Sequence, residues 1–402
     1  MYIDLHQHPE LGFMEVRTAE IITKEFKALG YEVVNGIGKT GVAAILKNGN
    51  GPTVMYRADM DCNGVKETTG LPYASTRTMK KADGTESPVM HACGHDAHIT
   101  WMLGVARIMT AMKSNWKGTL VFVAQPAEEL LMGAQAMVDD SMYAKGVPVP
   151  DFLFGMHTDS ALPLGTIDNG LGIRSAGSDQ LDVTFHGVGG HGSEPEFTKD
   201  PVVMAANAVM QYQTIISRNI AALNAAVITI GSIQAGSDNN VIPSSALVKV
   251  NLRWFNEETR STLLDGIKRI NEGIAVANGL SKEQYPTIKM KGNAYPLDND
   301  TVLTTKINNA LKPAYSSIIT NRKVSMGSED FQHLVRSYPK TKCNYLQIGI
   351  TNPEEYAKFK SEGKDVPYFH HTGGFRVDLR AIPVGTEIGA IALLEVFRKT
   401  VN

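Results

Sequence analysis

The chain has 402 residues, of which 43% are hydrophobic and 20% are charged, a composition typical of globular proteins and unlike collagen-like or disordered chains. Its 39 basic and 41 acidic side chains leave a formal net charge of −2, so there is no excess of positive charge to bind a nucleic-acid backbone. No apolar run approaches the ~18 residues that a membrane-spanning helix needs. We therefore expect neither nucleic acid nor a membrane as a partner, and the length predicts one very large or two ordinary domains.

The number of cysteines and the N-terminal segment indicate the cellular compartment in which the protein is expected. Three cysteines, Cys62, Cys93 and Cys343, are too few for a disulfide framework, and their odd number fits thiols in a reducing compartment. The first residues, MYIDLHQHPELGFMEV, lack the basic segment and long apolar run of a secretory signal. Together these features predict a cytoplasmic location.

The first part of the chain alternates helical patterns with patterns of buried strands. Apolar residues at helical spacing predict a helix over 18–28, with Thr18 as its N-cap and Gly30 just beyond its end. A second apolar helical pattern covers 99–112. Short apolar runs bounded by Gly, Pro or polar residues predict strands buried on both faces at 42–46, 53–56, 120–124 and 152–156. This alternation predicts a layered α/β architecture.

The pattern changes after about Ser175, where predicted strands alternate between apolar and polar residues. Strands are predicted at 181–185, 226–233 and 246–254, and helices at 201–216 and 257–277. This β-α-β-β-α order is typical of a two-layer α+β insert. Beyond 295–299 helical and strand patterns resume, including a strand at 343–348 and a closing helix near 387–398. One large domain interrupted by a smaller one is the organisation that this order predicts.

The densest group of potential metal ligands is the segment HACGHDAH, which directly precedes the helical pattern at 99–112. Gly94 permits a tight turn, so the Cys93 thiolate and the His95 imidazole can converge on one ion, whereas residues i and i+2 of a regular helix face apart. A turn at a helix start also favours the thiolate form. The alternative is a buried cysteine beside capping and core histidines. We favour metal binding for Cys93 and His95. For His91 and His98 we favour a structural role.

A second candidate segment, QPAEE, follows the predicted strand at 120–124. Loops at the carboxyl ends of strands are where α/β proteins place their sites. Adjacent carboxylates on a non-helical turn point in different directions, so one of Glu128 and Glu129 can bind a metal ion while the other acts as a general base. The alternative is a solvated helix start.

Histidines at two further places bring the number of potential ligands to five. His157 follows the predicted strand at 152–156 and reaches the same edge of the sheet, and two imidazoles precede a glycine-rich turn in the segment FHHTGG. A single histidine is more often structural, but the set as a whole suits two metal ions that share a bridging group. Its members are Cys93, His95, Glu129, His157 and His371.

Three other segments have the composition of sites. The segment GVGGHGS contains His191 but lacks a nucleotide fingerprint or a following Lys-Ser/Thr pair, which disfavours phosphate binding. The segment DNNVIP contains Asn240. In MGSEDF we predict the start of a helix with Ser328 as its N-cap, with a supporting role in a site as the alternative.

Taken in order, the motifs of this chain resemble those of the M20 metallopeptidase family. The resemblance covers essentially the whole chain and is closest to the amidohydrolase and aminoacylase branch, which includes hippurate hydrolases. The motifs are LHQHPELGF (5–13), RADMD (57–61), MHACGHDAH (90–98), QPAEE (125–129), GMH (155–157), GGHGS (189–193), NVIP (240–243), GSEDF (327–331) and HHTGGF (370–375).

The resemblance implies an α/β catalytic domain with a mixed sheet, formed by 1–175 and 291–402. It implies that a smaller α+β, ferredoxin-like domain at 176–290 interrupts the catalytic domain and serves in dimerisation or as a lid. It further implies that the protein is a homodimer. It also implies two divalent metal ions per subunit, zinc first and manganese as the alternative. The implied ligands are Cys93, His95, Glu129, His157 and His371, with Cys93 where related peptidases have a bridging aspartate.

The same resemblance implies roles outside the ligand set. Glu128 is the implied general base, and His191 reaches across the dimer to polarise the substrate carbonyl. Asn240 and Arg253 are implied to bind the substrate carboxylate. These roles predict hydrolysis of the amide bond of N-acyl amino acids, which releases a carboxylic acid and a free amino acid.

Other functions stay open beside this one. A dipeptidase or carboxypeptidase of the same fold is the nearest alternative, and a metal-dependent binding protein without catalysis is another. An enzyme with Cys93 as its nucleophile is the third, and its activity would survive metal removal.

The chain departs from the family pattern at several positions. Cys62-Asn63-Gly64 follows RADMD where Ala-Leu-Pro is common, and Thr372-Gly373 replaces Ser-Pro. Glu196 stands where a histidine is frequent, and Leu379 replaces a common acidic residue. His371 rather than His370 is the implied ligand because Phe375 lies four residues further on. These departures bear on the shape of the acyl pocket more than on the reaction.

Overall fold

The structure, a computed structural model, describes residues 1–364 and 366–398. Residues 365 and 399–402 of the predicted catalytic domain lie outside the described residues. Within the described ranges no helix is long and apolar enough to cross a bilayer. The helices are α1 (Tyr2–Gln7), α2 (Val16–Ala28), α3 (His95–Ala111), α4 (Gly133–Asp139), α5 (Pro201–Asn219), α6 (Glu257–Ala277), α7 (Thr301–Leu311), α8 (Pro353–Ser361) and α9 (Ala381–Phe397).

Strands are more numerous than helices, and several are only two or three residues long. They are β1 (Glu32–Ile37), β2 (Gly41–Asn48), β3 (Thr53–Asp59), β4 (Thr78–Lys80), β5 (Glu86–Pro88), β6 (Gly118–Gln125), β7 (Phe152–Pro163), β8 (Ile167–Asp168), β9 (Gly172–Ser175), β10 (Gly177–His186), β11 (Gly190–His191), β12 (Val227–Ala235), β13 (Val241–Ile242), β14 (Ser245–Trp254), β15 (Thr287–Ala294), β16 (Leu297–Asn299), β17 (Ile318–Ile319) and β18 (Lys342–Thr351).

The described chain forms two compact units. The first comprises Met1–Arg174, Leu297–Lys323 and the chain from Asp330 onward, and the second comprises Ser175–Pro296 and Val324–Glu329. The first unit contains an eight-stranded sheet in the order β1-β2-β6-β3-β7-β18-β8-β17. Its middle strands β6, β3, β7 and β18 run parallel, whereas β1, β2 and β6 pair antiparallel. The predicted α/β fold with a mixed sheet is confirmed.

The sheet of the first unit is apolar on both faces because each face packs against its own layer. In β6, Leu120 and Phe122 face the core built with α2, α3, α7 and α9, while Val121 and Val123 face the core built with α4. Strands buried on both faces read as continuous apolar runs, as the sequence predicts here. The sheet is therefore a rigid support for whatever its strand ends carry.

The second unit is a four-stranded antiparallel sheet in the order β12-β14-β10-β15 with α5 and α6 packed on it. The chain order β10-α5-β12-β14-α6-β15 and this strand order are those of a ferredoxin-like fold. The predicted α+β, ferredoxin-like architecture of the insert is thus confirmed. The helix predicted at 257–277 has those bounds in the structure.

Some predicted helix ends are wrong. Helix α2 begins at Val16, so Thr18 is a buried residue inside its first turn and not its N-cap. Helix α3 begins at His95 rather than at 99, and the closing helix α9 begins at Ala381 rather than near 387. Gly30 does lie directly after the C-cap Leu29 with a φ of +80°, as predicted. The early start of α3 adds His95, Asp96 and His98, whose polarity hides them from a search for apolar periodicity.

Helix α1 is fastened to α3 by a buried histidine. The His6 Nδ1 lies 2.7 Å from Asp96 Oδ2, and its Nε2 lies 3.3 Å from Glu67 Oε1. Burial of itself lowers the pKa of His6, but hydrogen bonds to Asp96 and Glu67 and their charges raise it to about 10. An imidazolium that donates at both nitrogens therefore joins α1 to the start of α3.

We expect this imidazolium to make stability depend on pH on the alkaline side. The pKa of His6 is raised on folding, so its contribution is complete below about pH 6.5 and is lost as pH rises through about 10. Over that window the free energy of unfolding should fall by up to about 1.4 kcal/mol per pH unit. Chemical denaturation of the wild type and of His6→Gln from pH 6 to 10 measures the effect. Equal pH slopes for the two proteins would contradict it.

Candidate metal centre

The parallel strands of the first unit bring functional side chains to one level of the sheet. Asp59 at the end of β3 pairs with Gln125 at the end of β6, and Arg57 of β3 pairs with Gly155 of β7. His157 therefore lies level with Asp59, although β7 itself continues to Pro163. The carboxyl ends of parallel strands are where α/β proteins carry their sites, as the sequence predicts for Glu128, Glu129 and His157.

A tight turn positions Cys93 and His95 against strand β7. Gly94 has a φ of +84°, and a Cβ built on it would come within 2.7 Å of Thr158 Oγ1, so only glycine fits. The Thr158 hydroxyl donates to the carbonyl oxygen of Cys93 at 2.8 Å. This contact brings the Cys93 Sγ to 3.5 Å from His157 Nε2, while His95 opens helix α3.

The two adjacent glutamates lie on a short 3₁₀ segment, Glu128–Leu130, directly after β6. Their backbone N–H groups donate to the two oxygens of Asp61, each at 3.1 Å. Both side chains approach His95, Glu129 at 3.7 Å and Glu128 at 3.9 Å, and Glu129 also approaches His371. The solvated helix start considered as an alternative is not what forms.

His371 reaches the same place from the far end of the sequence. Its backbone N–H donates to the carbonyl oxygen of Ala92 at 2.8 Å, and its φ is +62°, a conformation that non-glycine residues adopt rarely. Its Nε2 lies 3.3 Å from Glu129 Oε2. The neighbouring His370 instead approaches Thr158 and Ser160 at 3.4 and 3.5 Å.

The potential ligands form overlapping groups of three, and within each group the ligand-type atoms lie within 4.8 Å of one another. One group is Cys93, His95 and His157, and another is Cys93, Glu129 and His371. A third is His95, Glu128 and Glu129. Cys93 belongs to the first two groups, which is the position expected of a ligand shared by two adjacent ions. The structure thus brings together every residue of the predicted ligand set and Glu128.

Negative charge is concentrated around His95. Four carboxylates lie within 4 Å of its ring nitrogens: Asp61 at 3.3 Å, Glu129 at 3.7 Å, Asp59 at 3.8 Å and Glu128 at 3.9 Å. Burial lowers the pKa of His95, but the charges of Asp59 and Asp61 raise it to about 10. Burial raises the pKa of Glu129, but its hydrogen bond with His371 and the charges of both histidines lower it to about 2. This field favours a multivalent cation.

Buried atoms at the centre of the cluster make no hydrogen bond within the described residues. Among them are His95 Nε2 and Glu129 Oε1, which lie 3.7 Å apart. Buried polar atoms without partners are rare in proteins and call for an explanation such as an ion. Metal–ligand bonds of ~2.0–2.2 Å from each atom span this distance. The donor set of thiol, imidazole and carboxylate therefore fits divalent metal ions.

The remaining predicted site residues belong to the second unit. His191 lies on β11, which pairs with β13, and the N–H of Gly192 donates to the carbonyl oxygen of Asn240 at 2.8 Å. The structure therefore places His191 and Asn240 side by side, both exposed. Arg253 on β14 donates through Nε to Asn251 at 2.8 Å and through Nη1 to Ser328 at 2.6 Å.

Ser328 is not an N-cap, so this sequence prediction is wrong. The segment Phe331–Val335 is a 3₁₀ helix whose N-cap is Asp330, and the Ser328 hydroxyl accepts the hydrogen bond from Arg253. The acidic residues that suggested a helix start have other partners. Asp330 accepts from the Arg57 guanidinium at 3.2 Å and from the Gln125 amide at 2.6 Å.

Sequence reasoning assigned no role to Asp59 and Asp61, yet both support the cluster. Asp59 lies 2.5 Å from His98 Nδ1, and Asp61 holds the turn of Glu128 and Glu129. Residues two apart at the end of a strand face the same side, so the spacing within RADMD carried the signal. His98 itself is fully buried between Asp59 and Thr158, whose N–H donates to it at 2.9 Å.

An α/β sheet that presents two overlapping ligand groups and an adjacent carboxylate defines a hydrolase of the metal-dependent class. Residues 55–367 match the family described as peptidase family M20/M25/M40. The chain belongs to this family, as its motifs predict.

Named relatives and a solved structure agree with this assignment. The chain is 41% identical over 280 residues to hippurate hydrolase of Campylobacter jejuni, and this alignment covers 69% of each chain. It is 35% identical over 357 residues to N-acetylcysteine deacetylase of Bacillus subtilis, which covers 88% of each. A Bacillus subtilis protein described as a dinuclear metal binding peptidase from the M20 family superposes with a TM-score of 0.74 at 28% identity, covering 99% of this chain and 96% of that one.

Proposed function

We propose that the protein hydrolyses the amide bond of N-acyl amino acids and releases a carboxylic acid and a free amino acid. The observation that carries the proposal is the convergence of two ligand groups that share Cys93, with the Glu128 carboxylate beside them. Relatives named for hydrolysis of hippurate and for deacetylation of N-acetylcysteine support the substrate class.

Two divalent ions per subunit are part of the proposal. Cys93, His95, Glu129, His157 and His371 would hold them, with Cys93 shared. A thiol among the ligands favours zinc, and manganese is the alternative that the carboxylate and imidazole ligands also allow. Support comes from the unpaired atoms of His95 and Glu129 and from the related protein described as binding two metals.

In the proposed reaction Glu128 moves the proton. Divalent ions, when bound, lower the pKa of water and polarise a carbonyl group. Glu128 accepts a proton from the attacking water, whose oxygen forms the new bond to the acyl carbon. Glu128 then donates that proton to the amide nitrogen as the carbon–nitrogen bond breaks. Asp61 holds the backbone of Glu128 and Glu129 throughout, which keeps the base in place.

The second unit would complete the site in a homodimer. We propose that the first unit is catalytic, that the second is the dimerisation or lid domain, and that the partner subunit's His191 polarises the substrate carbonyl. The exposed positions of His191 on β11 and of Asn240 directly before β13 support a role toward another molecule. Arg253, held by Asn251 and Ser328, would bind the substrate carboxylate with Asn240.

The test is amine release from a panel of N-acyl amino acids and dipeptides. It is run on metal-stripped protein and again after addition of zinc or manganese. We expect metal-restored release from N-acyl amino acids and little from dipeptides, because the relatives named for their substrates act on hippurate and N-acetylcysteine. Preferred cleavage of dipeptides would support the dipeptidase alternative, and no release with stoichiometric metal would contradict an enzymatic function of this class.

A further inference from the structure

The turn that carries the two glutamates is strained. Ala127 and Leu131, which flank it, have φ values of +47° and +52°, in the left-handed region that residues with a Cβ rarely occupy. The turn also closes tightly, since a Cβ on Gly133 would come 1.5 Å from the carbonyl oxygen of Pro126. Strain of this kind persists only where the surroundings hold the backbone in place.

Two buried carboxylates hold it through three consecutive backbone N–H groups. Asp61 accepts from Glu128 and Glu129, as described above, and Glu15 Oε1 accepts from the N–H of Ala127 at 2.8 Å. The other oxygen of Glu15 accepts from the Thr40 hydroxyl at 2.6 Å. Glu15 is completely buried, so its carboxylate is fixed at both oxygens.

Helix capping does not account for Glu15. It stands at the N-cap position of α2 but makes no side-chain cap hydrogen bond there. Glu10 caps the helix instead, because its carboxylate accepts hydrogen bonds from the N–H groups of Arg17 at 3.2 Å and of Thr18 at 2.8 Å. The carboxylate of Glu15 is thus directed away from its own helix and toward the turn.

We propose that Glu15 is a positioning residue for hydrolysis, which fixes the Ala127 peptide and so sets the directions of Glu128 and Glu129. The inference rests on the proposed function of those two glutamates. Rotation of one peptide at this turn would displace a ligand and the base together. Stability alone does not explain the arrangement, because burial and the charge of Asp61 raise the pKa of Glu15 to about 7, which opposes its ionisation.

The experiment compares Glu15→Ala and Glu15→Gln with a matched control, Glu10→Ala. The control removes backbone hydrogen bonds of the same helix start without touching the turn. We expect Glu15→Ala to lower affinity for Zn²⁺ alone by about 10- to 100-fold, the usual effect of losing a residue that orients a ligand. With zinc saturating, its kcat should fall about 100-fold with little change in KM.

The conservative variant Glu15→Gln distinguishes a positioning role of Glu15 from a contribution to overall stability. Glu15→Gln keeps an oxygen acceptor for Ala127 and should recover most of the zinc affinity and kcat, while Glu10→Ala should lower the melting temperature and leave both unchanged. Wild-type zinc affinity and kcat in folded Glu15→Ala would overturn the proposal. Equal losses in Glu10→Ala would overturn it too, because they would reflect stability alone.

Two further arrangements keep the test decisive. Where Glu15→Ala does not fold, Thr40→Val removes the second hydrogen bond of Glu15 in an isosteric way, and unchanged zinc affinity and kcat would overturn the proposal. Where the wild type binds zinc but releases no amine from N-acyl amino acids, the proposed function fails. Zinc affinity of the three variants then still decides the role of Glu15.

Discussion

Glu128→Gln is expected to lower kcat on an N-acyl amino acid by about 1,000-fold, within the range that loss of a general base produces. Glutamine has the size of glutamate but neither accepts the proton of the attacking water nor returns it to the departing amine. The backbone N–H of residue 128 still donates to Asp61, so the turn should keep its shape. Steady-state kinetics measures kcat, and metal analysis of the same samples measures the metal content.

The metal content is what makes this result specific. Glu128 lies beside His95 at 3.9 Å, whereas Glu129 lies between His95 and His371 at 3.7 and 3.3 Å. Glu128→Gln should therefore retain wild-type metal content, and the companion variant Glu129→Gln should lose both metal affinity and turnover. Near-normal turnover of Glu128→Gln would show that another group carries the proton.

The fold was predictable where one physical signal dominated. Strands β2, β3 and β6 are apolar on both faces because a core lies on each side of their sheet, and such runs are visible in any sequence. Helix α6 has the predicted bounds because Asn256 caps it through its side chain and the apolar pattern starts at once. Local chemistry and tertiary packing agree at these elements.

Prediction failed where a distant group satisfied a helix end. Thr18 has the side chain of an N-cap, but the carboxylate of Glu10 takes the free N–H groups and allows α2 to begin two residues earlier. The N-cap prediction for Ser328 failed because its hydroxyl accepts a hydrogen bond from Arg253 on β14. Capping rules describe neighbours in sequence, and these partners come from elsewhere in the fold.

In the candidate site too, some residues could be predicted from the sequence and others could not. Side chains that would bind metal have a chemical signature, so Cys93, His95 and Glu129 stand out in the sequence. Glu15 acts through a backbone N–H group, and such a bond leaves no mark in residue types. The role of Glu15 depends on the path of the turn of residues 126–131, which no local sequence pattern specifies.

The Cys93 thiol is the residue whose substitution best separates a metal ligand from a nucleophile. Its Sγ lies 3.5 Å from His157 Nε2, a distance that suits a ligand pair and also a Cys–His nucleophilic pair. Membership in two overlapping ligand groups favours the ligand role. A carboxylate can replace a shared thiolate as a ligand but not as a thiol nucleophile of the same reaction.

Cys93→Ala is therefore expected to lower kcat by at least about 100-fold, and Cys93→Asp to recover a measurable part of that activity with metal added. Removal of metal by a chelator should abolish turnover of the wild type, and zinc should restore it. Both variants share the loss of the thiol, so their difference isolates ligation from nucleophilic attack. Equal inactivity of the two, together with wild-type turnover that resists chelation, would assign Cys93 as the nucleophile and remove the metal ions from the mechanism.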